Sequence, residues 1–411
     1  MPPTVSLGAE SDLYKQVSNW STLPLSDLGE VVMGQSPPSS AYNDVSLGLP
    51  LVQGNADIKN RKTIARTWTT EHPKGCQAGD IVMTVRAPVG AVGIASADSC
   101  LGRGVCAIKP KIDPGFLYHA LVYREADWER LAQGTTFTAA NGPQVRSFTF
   151  AVPNEAGEQR AIAEVLTDFD ALIDRLELLI TKKRNVRKGV ARDLLGGARR
   201  LPPFSDAWAS VAFGSLFEAL RSVALSRAQL GTDGPVSYIH YGDIHTQWNT
   251  WLSLDKEQLP TATTDQVGNA TLLRDGDLVL ADASEDVAGA GKAVELLSVR
   301  GRPVVAGLHT IALRPLRRVF APGFPGLLQE TSQFQSQAAR LVAGLKVYGL
   351  SRSNLMTIEV DVPSLDEQCA IAEVLSDMDA EIEALEKRLA KTKDLKTGMA
   401  QELLSGRTRL V

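Results

Sequence analysis

EQRAIAEVLTDFDALIDRLELLITKKRNVRKGVARDLLGGARRL (residues 158–201) aligns without a gap to EQCAIAEVLSDMDAEIEALEKRLAKTKDLKTGMAQELLSGRTRL (residues 367–410). The offset is 209 throughout, and about half of the paired positions are identical. A period this long does not describe a solenoid; it describes a duplicated domain with its helix. In the first copy Ile162, Leu166, Phe169, Ile173, Leu176 and Ile180 alternate four and three apart, the spacing of an a/d seam. Ile371, Leu375, Met378, Ile382, Leu385 and Leu389 take the equivalent places in the second. Val186, Val190 and Leu194, matched by Leu395, Met399 and Leu403, continue the stripe at spacing four. Pro153 and Pro363 block an earlier helix start, and Gly197 and Gly406 stand where a left-handed cap takes glycine. A helix over residues 158–195 is roughly 57 Å long at 1.5 Å per residue. The stripes are narrow and matched in register, so the two helices are expected to pack on each other.

Weaker echoes lie upstream in the same order. Trp20, Leu25, Leu28 and Glu30 match Trp208, Phe213, Leu216 and Glu218 at an offset of 188, as Gly54 matches Gly242. AGDIVM (78–83) matches DGDLVL (275–280) at 197, and AIKP ending at Pro110 matches ALRP ending at Pro315 at 205. An offset that grows in steps means that surface loops gained residues in the second copy while the scaffold was kept. Short β-rich runs (DIVMTV, AVGIA, GVCAIKP, DLVLAD) are separated by Gly, Pro, Asn and Ser clusters. Short helices are expected around residues 116–133 and 326–345. The fold class is therefore α+β. It comprises a first β-rich domain over 1–157, a long helix over 158–200, a second β-rich domain over 201–366 and a second long helix over 367–411.

Composition narrows the functional classes. At 411 residues, with 44% hydrophobic and 22% charged residues, the chain fits two ordinary globular domains. No run of 18 apolar residues offers a transmembrane helix, and MPPTVSLGAESDLYKQ lacks the layout of a signal peptide, so a cytoplasmic protein is expected. The four cysteines form no CxxC pair and the five histidines are scattered, so no metal is expected. LPPF (201–204) has Leu201 where an amino-methyltransferase needs an acceptor for the target amino group. GAGKA (289–293) lacks the first glycine and the Ser or Thr of a phosphate loop. Neither motif supports catalysis, and no cofactor is expected for this chain. The formal net charge of -4 is awkward for a protein that grips DNA unaided. The run KKRNVRK (182–188), with Arg192, Arg199 and Arg200, is either a solvated helix face or a face toward DNA backbone or an acidic partner.

The layout resembles the specificity subunit of type I restriction–modification enzymes over residues 23–410. The resemblance rests on LPLSDLGEVVMGQSP, a GDI-type strand, the loop QGTTFTAANG, and then P-x4-EQRAIAEVL with its long helix, all of it occurring twice. Two places depart from the pattern: ALRSVALS replaces a GxSP element in the second domain, and GLKVYGLS stands for QGTTFTAANG. The resemblance implies a non-enzymatic subunit whose two target-recognition domains each read one half of a bipartite double-stranded DNA site. It also implies that the two helices form an antiparallel coiled coil with pseudo-twofold symmetry that spaces the halves. Methyltransferase subunits using S-adenosylmethionine would dock there, and a restriction subunit would join the same assembly. A different class of function stays open at this point, a coiled-coil scaffold whose β-rich domains bind protein.

Residues able to read base edges or anchor phosphate stand in the expected loops. In the first domain they are Gln35, Ser36, Arg61, Lys62, Arg86, Arg103, Asn141, Gln144 and Arg146. In the second they are Arg221, Tyr241, His245, Gln247, Trp248, Lys292, His309, Lys346, Tyr348 and Arg352.

Overall fold

A computed structural model describes residues 19–133, 139–287, 289–316, 319–344 and 346–410. The N-terminal stretch read above, residues 134–138 of QGTTFTAANG and Leu345 of GLKVYGLS lie outside them. The chain divides into two compact units, Met1–Leu178 with Lys387–Val411, and Leu179–Glu386. The fold is α+β, and each unit holds one β-rich domain together with a segment of each long helix.

In the first unit the ribbon Trp20–Pro24 pairs antiparallel with Thr149–Pro153, Trp20 opposite Pro153. This joins the start of the domain to its end, where the helix Ala156–Leu195 begins. A six-stranded sheet runs in the order Gly29–Met33, Val105–Pro110, Ile81–Thr84, Val92–Ile94, Lys62–Thr63, Ile58–Lys59, and only the contact of Val92–Ile94 with Lys62–Thr63 is parallel. IVMT is buried on both faces, which is why it reads as a continuous apolar run without alternation. The helix expected near residues 116–133 is two helices, Pro114–Tyr123 and Glu125–Gln133.

The second unit repeats this plan. The ribbon Ala209–Ala212 pairs with Glu359–Val362, ahead of the helix Leu365–Leu404. Phe217–Ala219, Thr310–Pro315 and Leu278–Ala281 follow one another in a sheet, as Gly29–Met33, Val105–Pro110 and Ile81–Thr84 do in the first unit. The offsets of 197 and 205 therefore mark equivalent strands. The expected helix over 326–345 is shorter, Ser332–Leu341, after the turn Phe324–Leu327. Gly197 and Gly406 do take positive φ, +67° and +75°, past the ends of the two helices.

Segments of the two long helices run antiparallel within each unit. In the first, Lys393 reaches Glu177 (2.7 Å), Lys396 meets Asp170, and Arg409 forks onto Glu158 (2.7 Å). In the second, Lys183 reaches Glu381 (2.7 Å), Arg187 Asp379 (3.0 Å) and Arg200 Glu367 (2.6 Å). As one index rises the other falls. The seam residues divide in two. Ile162 and Leu166 are sealed into the core of the first domain with Phe116, Trp128, Leu403 and Leu404, and Ile371 and Leu375 into the second with Phe213 and Phe324. Leu176, Ile180 and Ile382 are buried, whereas Phe169, Ile173, Met378, Leu385 and Leu389 are half-buried. The continuation at spacing four holds in part: Val186 and Leu395 are about half exposed, whereas Val190 and Met399 are half-buried and Leu194 and Leu403 are sealed into the domain cores. Each step of four advances roughly 40° beyond a full turn at 3.6 residues per turn, so the stripe turns from the seam at Val186 and Leu395 onto the domain core at Leu194 and Leu403.

The Glu-Gln pair that opens each helix explains part of the repeat. Gln159 takes the Asp113 N–H (3.1 Å) and donates to the Pro153 carbonyl (2.8 Å). Gln368 takes the Ala321 N–H (2.9 Å) and donates to the Pro363 carbonyl (2.9 Å). Each glutamine staples its helix to its β-rich domain, and each neighbouring glutamate holds the arginine that follows the other helix.

Candidate nucleic-acid interface

In the first unit several loops are laced together by backbone bonds. The Gln35 N–H donates to the Leu101 carbonyl (2.8 Å), Arg103 N–H to Ser36 Oγ (3.1 Å), Val85 N–H to the Gly104 carbonyl (2.9 Å), and Arg86 bridges Ala139. Gln35, Ser36, Arg86, Arg103 and Asn141 therefore lie on adjoining loops, and all but half-buried Ser36 are exposed. Gln53, not singled out from the sequence, joins them, because LVQGNADI drew notice only for its glycine. Gly102 and Gly104 let it in: a Cβ on Gly104 would lie 2.1 Å from the Gln53 carbonyl oxygen. Asn141 and Gln144 are partly committed to structure. Each side-chain oxygen accepts the other's backbone N–H at 3.0 Å, a capping box for the helix Gly142–Ser147. Arg146 leans on Gly142 and reaches the Val31 carbonyl (3.4 Å). Arg61 and Lys62 sit on a separate turn, where Arg61 forks onto Glu125 (3.1 Å for Nη2) and touches the Val92 carbonyl (3.3 Å).

The second unit builds the same loops with other side chains. Ala283 pairs with Gly349 where Arg86 bridges Ala139, and Ser351 caps Arg352–Met356 (3.1 Å to the Asn354 N–H) as Asn141 caps its helix. Here the centre is Tyr241, its ring 4.7 Å from His240, 5.4 Å from His309 and 6.2 Å from His245. His245 Nε2 lies 2.9 Å from the Ala283 carbonyl, Lys292 donates to the His245 carbonyl (3.1 Å), and His309 Nδ1 lies 3.3 Å from Asp282. Tyr348 pairs with Ser284 across the neighbouring ribbon, and exposed Lys346 and Arg352 flank it. Burial pushes the Lys292 ammonium below its ordinary pKa. Gln247 is exposed but its amide binds Asp243 (3.0 Å), which also holds Arg227; exposed Arg221 stands by Thr271, joined through the backbone (3.0 Å). Trp248 corrects the sequence reading. It is 4% exposed, in the core with Ile239 and Leu252, because an indole flanked by polar residues still gains more from burial than from solvent.

Part of the basic run forms helix-to-helix ties, whereas Lys182 and Lys188 are exposed and Arg192 pairs with its neighbour Asp193. Lys183, Arg184 and Arg187 pair with Glu381, Glu386 and Asp379, and Arg187 also holds Glu330. GAGKA is part of a hairpin that leads into the strand Ala293–Leu297, whereas a phosphate loop leads into a helix. Among the described residues no group of His, Cys, Asp and Glu is arranged to hold a metal ion, and no helix is long and apolar enough to cross a membrane.

The two units thus present laced loop clusters of common construction and different chemistry. Residues 17–183 match the family model described as the type I restriction modification DNA specificity domain. The first β-rich domain and the start of its helix are thus similar to a DNA specificity domain of type I restriction–modification systems. The putative type I restriction enzyme MjaX specificity subunit of Methanocaldococcus jannaschii is 32% identical over 197 residues, 47% of this chain and 46% of that one. The MjaIX specificity subunit of the same organism is 26% identical over 199 residues, 45% of each chain. The matched stretches thus span just under half the length of these curated relatives. Among solved structures, the S subunit of a type I restriction–modification system from M. genitalium is similar across 95% of this chain and 98% of its own, with a TM-score of 0.59 at 16% identity. A chain from a structure concerned with complex assembly and conformational transition of the type I R-M system covers 95% and 99%, with a TM-score of 0.55 at 16% identity. At such identities the likeness is one of fold, and it extends beyond the matched specificity domain to both β-rich domains and both helices.

Proposed function

We propose that this chain is the non-catalytic specificity subunit of a type I restriction–modification enzyme, each β-rich domain reading one half of a bipartite DNA duplex. The observation that carries this reading is the repeated loop cluster. Gln35, Arg86 and Arg103 in the first domain and Tyr241, His245 and His309 in the second occupy loops of the same architecture with different hydrogen-bonding chemistry. One scaffold presenting two chemistries suits two different half-sites. The helix pair sets the spacer between the half-sites and docks the methyltransferase subunits, which bring S-adenosylmethionine and the catalytic groups; a restriction subunit joins the same assembly. This chain needs no cofactor and works in the cytoplasm with the DNA. The test is methylation sequencing of DNA from cells that express the chain with its methyltransferase partner. A motif of two short blocks separated by a fixed gap is expected. A continuous motif, or methylation unchanged when this chain is deleted, overturns the proposal. Purified alone and given labelled methyl donor with mixed-sequence DNA, the chain is expected to incorporate nothing above a control without protein.

A further inference from the structure

Ile58–Lys59 and Lys62–Thr63 form a two-residue hairpin at the edge of the six-stranded sheet of the first unit. Both central residues have positive φ, Asn60 +50° and Arg61 +61°, the geometry of the tight turn that follows sheet twist. Asparagine tolerates it; arginine is strained there. The strain is held in place from outside the hairpin. Arg61 forks onto Glu125 and reaches the Val92 carbonyl, and the same Glu125 takes the Val92 N–H (2.9 Å). Arg61, offered by the sequence as a reader of DNA, is thus a strut between the turn and the helix that carries Glu125. The clamp fixes Lys59 and Lys62 directly opposite each other, both exposed and neither in an ion pair among the described residues. Like charges in a cross-strand pair repel and destabilise the hairpin, and an anion between them reverses that sign.

We infer that the Lys59–Lys62 turn grips the phosphate backbone of duplex DNA, with Arg61 as its positioning residue and no part in reading bases. The inference rests on the DNA-reading proposal and adds the site that anchors the first domain whatever the sequence. Its test uses the purified full-length chain, a fluorescent mixed-sequence DNA duplex and a salt titration. The double substitution Lys59→Gln with Lys62→Gln is expected to reduce the slope of log affinity against log salt by about 1 to 2, since each neutralised phosphate contributes about 0.9. Lys59→Arg with Lys62→Arg keeps the slope. Arg61→Gln lowers the melting temperature, and restoring charge with Arg61→Lys does not rescue it, because a lysine cannot fork onto Glu125. An unchanged slope in the double Gln variant, with the wild-type chain still binding, overturns the inference and leaves the proposed function standing. If that variant self-associates at an unchanged slope, the lysines only guard a sheet edge, and the inference is again overturned. A wild-type chain that binds no duplex overturns both.

Discussion

His119 shows what a single side chain contributes to the unit that holds it. Its ring is 3% exposed, with Nε2 3.0 Å from Thr167 Oγ1 on the first long helix. Burial lowers its pKa to about 4, against a partial pull upward from Asp170. A pKa lowered on folding means that the unfolded chain binds more protons between the two values. The stability this histidine contributes is therefore complete above its ordinary value of about 6.5 and is lost as pH falls toward 4, by up to about 3 kcal/mol. Melting of the wild-type chain across that range is expected to show the loss, and His119→Gln to flatten it; an equal slope in the variant places the acid sensitivity elsewhere. Glu295 works in the opposite direction. Burial raises its carboxyl to about 7 although the Gly326 and Gly323 N–H groups bind it, so its ionisation erodes the second unit as pH rises through 7. At the loop surface, Arg103→Ala is expected to cost about 1 to 3 kcal/mol of DNA affinity at unchanged melting temperature. Fluorescence anisotropy against duplexes altered one base pair at a time would then show relaxed discrimination at one position. The sequence could offer Arg103 as a candidate on an exposed loop because loop position and residue type are local properties. It could not separate Arg103 from Arg61 or Trp248, because what commits those two, Glu125 and a packed core, lies far away in the chain.

At the scale of the element, the helix pair is written in charge as well as in apolar spacing. Along the first helix Glu158, Asp168, Asp170, Asp174 and Glu177 precede Lys182, Lys183, Arg184, Arg187 and Lys188. Along the second, Glu367, Asp377, Asp379, Glu381, Glu383 and Glu386 precede Lys387, Arg388, Lys391, Lys393 and Lys396. Two helices that each run from acidic to basic repel when parallel and attract when antiparallel. The direction was therefore legible in the sequence, in a signal that the apolar seam alone does not carry. The ties are unequal. Arg187 is only 12% exposed at its side chain and holds both Glu330 and Asp379. Arg187→Ala leaves two carboxylates together without their cation and is expected to destabilise the second unit by about 3 kcal/mol or more. Lys183→Ala, at an exposed pair, is expected to cost less than about 1 kcal/mol. Denaturant titration of the two variants checks the order, and equal midpoints would show that Arg187 is no keystone.

For the molecule as a whole, the duplicated plan means that under the proposed function the two β-rich domains read separately. Exchanging residues 23–153 for a relative's segment is expected to change one block of the methylated motif and leave the other. A change in both blocks, or in neither, would show that the domains do not read independently. Four residues added to both long helices should lengthen the spacer by close to two base pairs, from about 1.5 Å per residue and about 3.4 Å per base pair. Added to one helix alone, they pull ties such as Arg200–Glu367 out of register. Duplication and the long helices were legible because each leaves a repeat or a period in the chain. The make-up of the compact units was not, since nothing local tells Leu403 and Leu404 that they belong in the core of the first domain. That last assignment bears on how the protein is born. The first domain and its helix leave the ribosome early, but Lys387–Val411, which completes their unit, is translated only after everything from Leu179 to Glu386. At about 5 to 20 residues per second the wait lasts roughly 10 to 40 s. Through that interval Ile162 and Leu166 lack their final covering, and a chain broken off before Leu403 never acquires it. Synthesis stopped short thus yields a first unit that stays open to chaperones and proteases, and only a chain that has been read to its second helix can shut the first.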